Sequence, residues 1–235
     1  MHDRICKFIR SGIDEAGRGS IIGPLVIASV TANKKTINKF SKIGVKDSKK
    51  LSAKNREIFT KIIMDESENV IISKLSEKRI DRAVKLRKKY LKNKNFATNN
   101  KIIGLNELEA HSMSKIISNL NSHSVYVDSC DVKPERFKER IENHLNTNMK
   151  IYSSHKADEK YVIVAAASVV AKYTRDKEIF RLERKFGKMG SGYPSDPVTR
   201  IFLQKWLKKN KIMPEFTRKS WKTWENLQPK INDYF

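Results

Sequence analysis

Cysteine is nearly absent from this chain of 235 residues, with only Cys6 and Cys130 present. Neither belongs to a CxxC pair or a Cys/His cluster, which excludes a disulfide framework and a structural zinc site and leaves two reduced thiols as the expectation. Long apolar runs are missing too. None approaches the roughly 18 residues that a membrane span needs, and the chain does not open on the charged, apolar and small-residue succession of a signal peptide, so the expected address is the cytoplasm. Nucleotide-binding loops are absent: "GRGSIIG" lacks the GxGxxG spacing, and no GxxxxGK[ST] occurs. Acidic residues are scarce, 26 Asp and Glu against 49 Lys and Arg, for a formal net charge of +23.

The positive charge is concentrated. Residues 34–56 carry nine Lys and Arg against Asp47, residues 78–101 carry ten against Asp81, and residues 200–222 carry eight against Glu215. Outside these segments the chain is roughly neutral. Three separate basic regions suit a polyanion that touches several surfaces, and nucleic acid is the commonest such partner. Taken one at a time, each is equally well read as a solvated helix and its loop. A hydrophobic content of 39% is low but accompanied by recurring apolar segments, so the chain is expected to fold.

Apolar residues around Ile9 and the β-branched run "PLVIASVTA" predict two strands joined by the glycine-rich "EAGRGSIIG". A helix is expected near 52–65, capped by Ser52, and a strand over 67–76. Helical spacing from Asn106 leads to a short strand, 123–131, that ends in acids. A helix opening at Pro134, a strand over 149–154, a long helix over 161–186 with a small-residue first half, and a basic helix after "GKMGSGYPSDP" complete the pattern. Strands first, then alternating helices and strands, then helices alone predict an α/β fold, a mixed sheet flanked by helices with a C-terminal helical lobe.

Four acids fall at element ends: Asp14 and Glu15 near the end of the first strand, Asp128 at the end of a later one, and Asp158 before the long helix. Singly, such an acid is a turn former or a cap. "VYVDSCD" and "GID" place Asp128 and Asp14 directly after buried strand residues, where a poorly solvated carboxylate requires a counter-charge or a metal. Converging carboxylates in a basic protein are the composition of a metal-dependent phosphodiesterase, since Mg²⁺ or Mn²⁺ takes oxygen ligands and also holds phosphate oxygens. Successive strand residues face opposite ways, so Asp14 and Glu15 are expected to share a metal only if the strand breaks at Ala16-Gly17. A GRG triplet by itself reads as a hairpin loop.

"GIDEAGRGSIIGPLVIA", "VKDSKKLSAKNRE", "VYVDSCDV", "HKADEKYVIVAAASVVAKYTRD", "GSGYPSDPVTRIFL" and "RKSWKT" follow one another in an order that closely resembles the motif blocks of the ribonuclease HII family, particularly its archaeal form, over about residues 9–225. Ser20 stands where proline is frequent, Cys130 where a small residue is usual, and 78–101 is unusually rich in lysine. The resemblance implies an RNase H-like catalytic core, assigned to 1–187, a substrate-binding helical extension over 188–225, and an endonuclease that hydrolyses RNA in RNA/DNA hybrids. It also implies incision 5′ of a single ribonucleotide embedded in duplex DNA, leaving 3′-hydroxyl and 5′-phosphate ends. The same resemblance makes Asp14, Glu15, Asp128 and Asp158 the ligands of two Mn²⁺ or Mg²⁺ ions, assigns recognition of the ribose 2′-OH to Gly17, Arg18 and Gly19, and stacks Tyr193 under the junction sugar. Asp47, Ser48, Lys49, Lys172 and Arg175 are candidate phosphate contacts, with paired surface charge as the alternative. A monomer is expected.

The last ten residues, 226–235, form a tail in which "QPKINDYF" fits the Q-x-x-[ILM]-x-x-[FY]-[FY] box of sliding-clamp ligands. Gln228 opens the box. Ile231, Tyr234 and Phe235 would share one side of a helical turn, as an apolar plug.

Overall fold

The computed structural model describes residues 8–46, 51–92 and 102–227. Its elements are, in order, β1 (Ile9–Ala16), β2 (Leu25–Asn33), α1 (Lys34–Lys42), α2 (Ala53–Glu66), β3 (Asn69–Leu75), α3 (Glu77–Lys92), α4 (Leu105–Ile117), β4 (Ser124–Asp128), α5 (Pro134–Glu142), β5 (Ile151–Ser154), α6 (Ala157–Lys160), α7 (Val162–Phe186), α8 (Pro197–Asn210) and α9 (Thr223–Leu227). The strands form one sheet in the order β3-β2-β1-β4-β5. β1 runs antiparallel to β2, from Ile9↔Asn33 to Ala16↔Val26. It runs parallel to β4, which in turn runs parallel to β5. This is the expected mixed sheet flanked by helices. Among the described residues no helix is long and apolar enough to cross a membrane.

Contacts divide the described residues into two units. The first holds those up to Ala16, Val26–Ser73 and Asn106–Tyr173; the second holds Gly17–Leu25, those from Lys74 to Leu105, and those from Thr174 onward. The second unit is therefore gathered from three stretches of chain, whereas the sequence suggested a contiguous extension over 188–225. The boundary passes through "GIDEAGRG" itself, between Ala16 and Gly17.

In the first unit, β2 is buried along almost its whole length, as a strand covered on both faces must be. Val26, Ala28, Val30 and Ala32 pack in one cluster with Phe40 of α1, Ile63 of α2 and the Ile163–Ala171 half of α7. The small residues predicted for that half of α7 serve close approach. A Cβ on Gly12 of β1 would lie 2.4 Å from the backbone carbonyl of Ile163, so helix and strand meet there with no side chain between them. Beside Gly12, the buried Ser11 and Thr31 hydroxyls bond each other across the β1–β2 ladder at 2.7 Å, which satisfies two polar groups that water cannot reach.

The second unit has its own core of Ile21, Ile22, Ile179, Met189, Leu203, Trp224 and Leu227. Trp206 meets the rings of Phe186 and Phe216 edge-on, so the tryptophans anchor this unit as apolar residues. The 17–25 segment is stitched to the later chain through its backbone: Ile21 N–H donates to Gly192 O at 2.8 Å, Gly23 N–H to Phe216 O at 3.0 Å, and Arg218 N–H to Ile21 O at 2.9 Å.

Candidate active site

Three of the four predicted acids stand at the carboxyl ends of parallel strands or just beyond them, where α/β sheets carry their sites. The β1–β4 register pairs Ile13 with Val127, which sets Asp14 and Asp128 one residue further along neighbouring strands. Asp128 pairs with Ser154 at the end of β5, and its Oδ1 accepts the Ala157 N–H at 2.7 Å, holding the turn that presents Asp158. Lys156 enters that turn with φ of 52°, in the left-handed region. Asp14 and Asp158 are buried, at 5% and 6% exposure.

Glu15 departs from expectation in one respect. β1 ends at Ala16, so the chain does break at Ala16-Gly17, but the ladder through Ala16↔Val26 keeps Asp14 and Glu15 in regular alternation. The Asp14 carboxylate turns towards the next residue, and its Oδ1 accepts the Glu15 N–H at 2.7 Å.

Burial pushes the Asp14 carboxyl from 3.8 up to about 7; Ser168 opposes this, the Asp128 carboxylate adds to it, and the Glu15 N–H and the Lys172 ammonium lower it. Lys172, a candidate phosphate contact, thus lies where it also acts on Asp14. The other acid of "VDSCD" has a different fate. Hydrogen bonding from the Arg136 guanidinium, with further bonds from Asn106 and the Lys133 N–H, holds Asp131 far below the usual carboxylate range. Asp131 is thereby a structural ion-pair partner, and Asp14 is a carboxylate whose charge is poorly compensated by the protein. Cys130, at the position where the resembled family has a small residue, donates its thiol to Glu109 at 3.0 Å.

A divalent cation fits this donor set, because hard oxygen ligands and a raised, buried carboxyl both call for one. Among the described residues no group of three or more His, Cys, Asp or Glu side chains is arranged to hold an ion unaided.

The GRG residues belong to the second unit. Gly17 has φ of 85°, and a Cβ there would come within 2.9 Å of Pro24 O, so only glycine fits. Its carbonyl accepts from Ser20 N–H at 3.2 Å and from the Ser20 hydroxyl at 2.9 Å. Serine therefore closes the turn with two donors, where the proline frequent in the resembled family has no N–H to give. Gly19 is exposed and adjoins Tyr193, whose Cε1 would lie 4.0 Å from a Cβ on Gly19.

Arg175, taken from sequence as a phosphate contact, is 5% exposed. Its guanidinium lies 4.7 Å from the Tyr193 ring centroid and donates to Ser191 O. Gly192 makes room for it, since a Cβ there would approach the guanidinium to 2.8 Å. The geometry thus places Arg175 underneath Tyr193 as its support. Asp196, which caps α8, also accepts the Ser191 N–H at 2.6 Å, so the loop carrying Tyr193 is pinned at both ends.

Arg218, within "RKSWKT", has a role that its local sequence does not signal. It is fully buried, and its guanidinium donates to Arg18 O and Gly17 O at 2.6 Å each and to Gly23 O at 3.2 Å. Its Cζ lies 5.0 Å from the Trp221 ring. One planar fork therefore sets the carbonyls on both sides of the GRG turn. Asp47, Ser48, Lys49, Gln228, Ile231, Tyr234 and Phe235 lie outside the described residues.

The model of the family described as Ribonuclease HII matches residues 11–224. The chain belongs to the ribonuclease HII family. A ribonuclease HII of Thermococcus sibiricus is 42% identical over 94% of this chain and 91% of its own length. Two solved structures agree with the fold at TM-scores of 0.79: the ribonuclease H2 of Pyrococcus horikoshii, 36% identical over 94% of this chain and 97% of that one, and the ribonuclease HII of Archaeoglobus fulgidus in its complex with PCNA, 40% identical over 96% and 100%. The protein is accordingly a ribonuclease H of type 2, an endonuclease hydrolysing RNA in RNA/DNA.

Two outcomes follow for stability. Because the folded Asp14 carboxyl titrates near 7 and the unfolded one at 3.8, its contribution is fully present below the lower value and lost as pH rises through the higher one. In metal-free protein, Asp14→Asn should melt at a higher temperature than the wild type at about pH 8, the gap closing towards about pH 4. Added Mg²⁺ or Mn²⁺ should raise the wild-type melting temperature more than that of the variant. Separately, Arg218→Lys keeps the charge but loses the fork, and should cost at least about 2 kcal/mol in urea unfolding; unchanged stability would contradict the role given to the guanidinium.

Proposed function

We propose that the enzyme incises duplex DNA 5′ of a single embedded ribonucleotide as well as degrading RNA in hybrids, with Asp14, Glu15, Asp128 and Asp158 as ligands of two divalent ions, Mg²⁺ or Mn²⁺. The observation that carries this reading is the buried Asp14 carboxyl, raised by burial and by the neighbouring Asp128 carboxylate, near the ends of parallel strands. Such ions, when bound, activate a water for in-line attack and stabilise the departing 3′ oxygen. The chain's own residues do the remaining work. Asp128 fixes the Asp158 turn through the Ala157 N–H, and Lys172 supplies positive charge beside Asp14.

Discrimination between RNA and DNA requires a group that senses the 2′-OH. The exposed Gly19 backbone, with Tyr193 at its side and Arg175 behind the ring, supports that role for Gly17, Arg18 and Gly19. Asp47, Ser48 and Lys49 are proposed phosphate contacts, and the tail box a ligand for a sliding clamp; the related Archaeoglobus enzyme is found in complex with PCNA.

A DNA duplex carrying one ribonucleotide, incubated with Mg²⁺ or Mn²⁺, should be cut once, on the 5′ side of that residue, while an all-DNA duplex stays intact. Asp14→Asn and Asp128→Asn should each slow the cut at least about a hundredfold, the upper end for losing even an outer partner of a metal ligand. Equal cutting of both duplexes, or no cutting with either ion, would reject the reading. Removing residues 228–235 should abolish binding to an archaeal sliding clamp and leave clamp-free incision unchanged.

A further inference from the structure

The lysine-rich stretch from residue 78 is a departure from the family pattern that the catalytic reading does not use. Within the second unit it forms α3, whose Ile80 and Ala83 are buried. A groove of about 430 Å³ runs along the helix, lined by Lys78, Arg82, Lys85 and Lys89 together with Glu215 and Lys219. All five cations are exposed. The four on α3 recur at intervals of four, three and four residues, which at 3.6 residues per turn keeps them within about 60° of one another around the helix axis. Arg79, Arg87 and Lys88 fall outside that sector.

The acidic side chains of the groove do not cancel this stripe. Asp81 is buried, and its carboxylate accepts the Lys219 and Ser220 N–H groups at 2.9 Å each and the Ser220 hydroxyl at 2.6 Å, so it faces into the protein. Those bonds also fix the segment that carries Lys219 against α3. Glu215 then stands against five cations.

We propose that this groove is a binding site for the phosphate backbone of a nucleic-acid duplex. Eleven residues of α-helix separate Lys78 from Lys89, about 16 Å, and one strand of a duplex places about five phosphates in that length at 3.4 Å of rise each. Four cations on a concave face span that run of phosphates, and such a line contacts the backbone without reading bases. The site extends the proposed function, on which it rests, by giving this chain affinity for duplex regardless of sequence or sugar.

The test compares the full-length wild type with Arg82→Gln/Lys85→Gln/Lys89→Gln and with a charge-matched control, Lys115→Gln/Lys133→Gln/Lys150→Gln, on exposed residues of the first unit. Binding to a 20-base-pair all-DNA duplex is measured without divalent metal across a salt series. The α3 variant should bind at least about tenfold more weakly at low salt and lose about 2 to 3 from the slope of log K against log salt, since each phosphate contact contributes about 0.9. The control should retain wild-type slope. Wild-type affinity and slope in the α3 variant, or an equal loss in the control, would overturn the proposal. The cut at saturating ribonucleotide duplex should keep its wild-type rate, so failure of the incision reading shows in the wild type and failure of this one shows only in binding.

Discussion

A carboxylate carried out of water at the end of a central strand is the constraint around which the first unit is organised. Asp14 is buried beside Asp128, and burial alone costs it ionisation. The surroundings moderate that cost without removing it, through Ser168, the Glu15 N–H and Lys172. Two of these three come from α7, whose first half can deliver them only because Gly12 lets the helix backbone rest on β1. The small residues of "VIVAAASVVA" are thus part of the chemistry as well as the core. Asp131 shows the alternative outcome, an acid fully satisfied by an arginine and withdrawn from any exchangeable cation.

The second unit obeys a related rule with the charge reversed. Arg218 and Arg175 are both buried cations whose guanidinium groups donate to backbone carbonyls, and Arg175 also pairs with Asp176 at 3.5 Å. Carbonyl partners fix a loop's shape while the cation keeps its charge. The glycines at 17 and 192 are the space these guanidinium groups and the turn require.

Much of this was legible in the residues. The runs "PLVIASVTA" and "VYVD" declared strands by β-branching and alternation, and Ser52 does cap α2, accepting the Asn55 N–H at 3.2 Å. Asp14 and Asp128 were marked by their positions after apolar strand residues, and Glu15 and Asp158 by their places near element ends. α1 escaped notice because only Ile37 and Phe40 break its lysines, too few to show a period. The division of the chain into interleaved units was invisible, since it rests on pairings such as Ile22 with Thr217 that no local pattern reports. Arg218 was hidden for a similar reason: a cation bonded to carbonyls has no complementary residue type to search for. The break expected at Ala16-Gly17 is where β1 ends, but it falls beyond Glu15 and so leaves the alternation of Asp14 and Glu15 in place.

The bonds from Arg218 to Gly17 and Arg18 join residues about two hundred positions apart. During synthesis, at about 5 to 20 residues per second, the loop that carries the GRG triplet emerges some 10 to 40 s before the side chain that shapes it. For that interval the Gly17 carbonyl is held by Ser20. The shape of the GRG turn is therefore among the last features the nascent chain acquires, although its sequence lies almost at the beginning, and a polypeptide released before Arg218 is added would carry the triplet without the fork that holds it in shape.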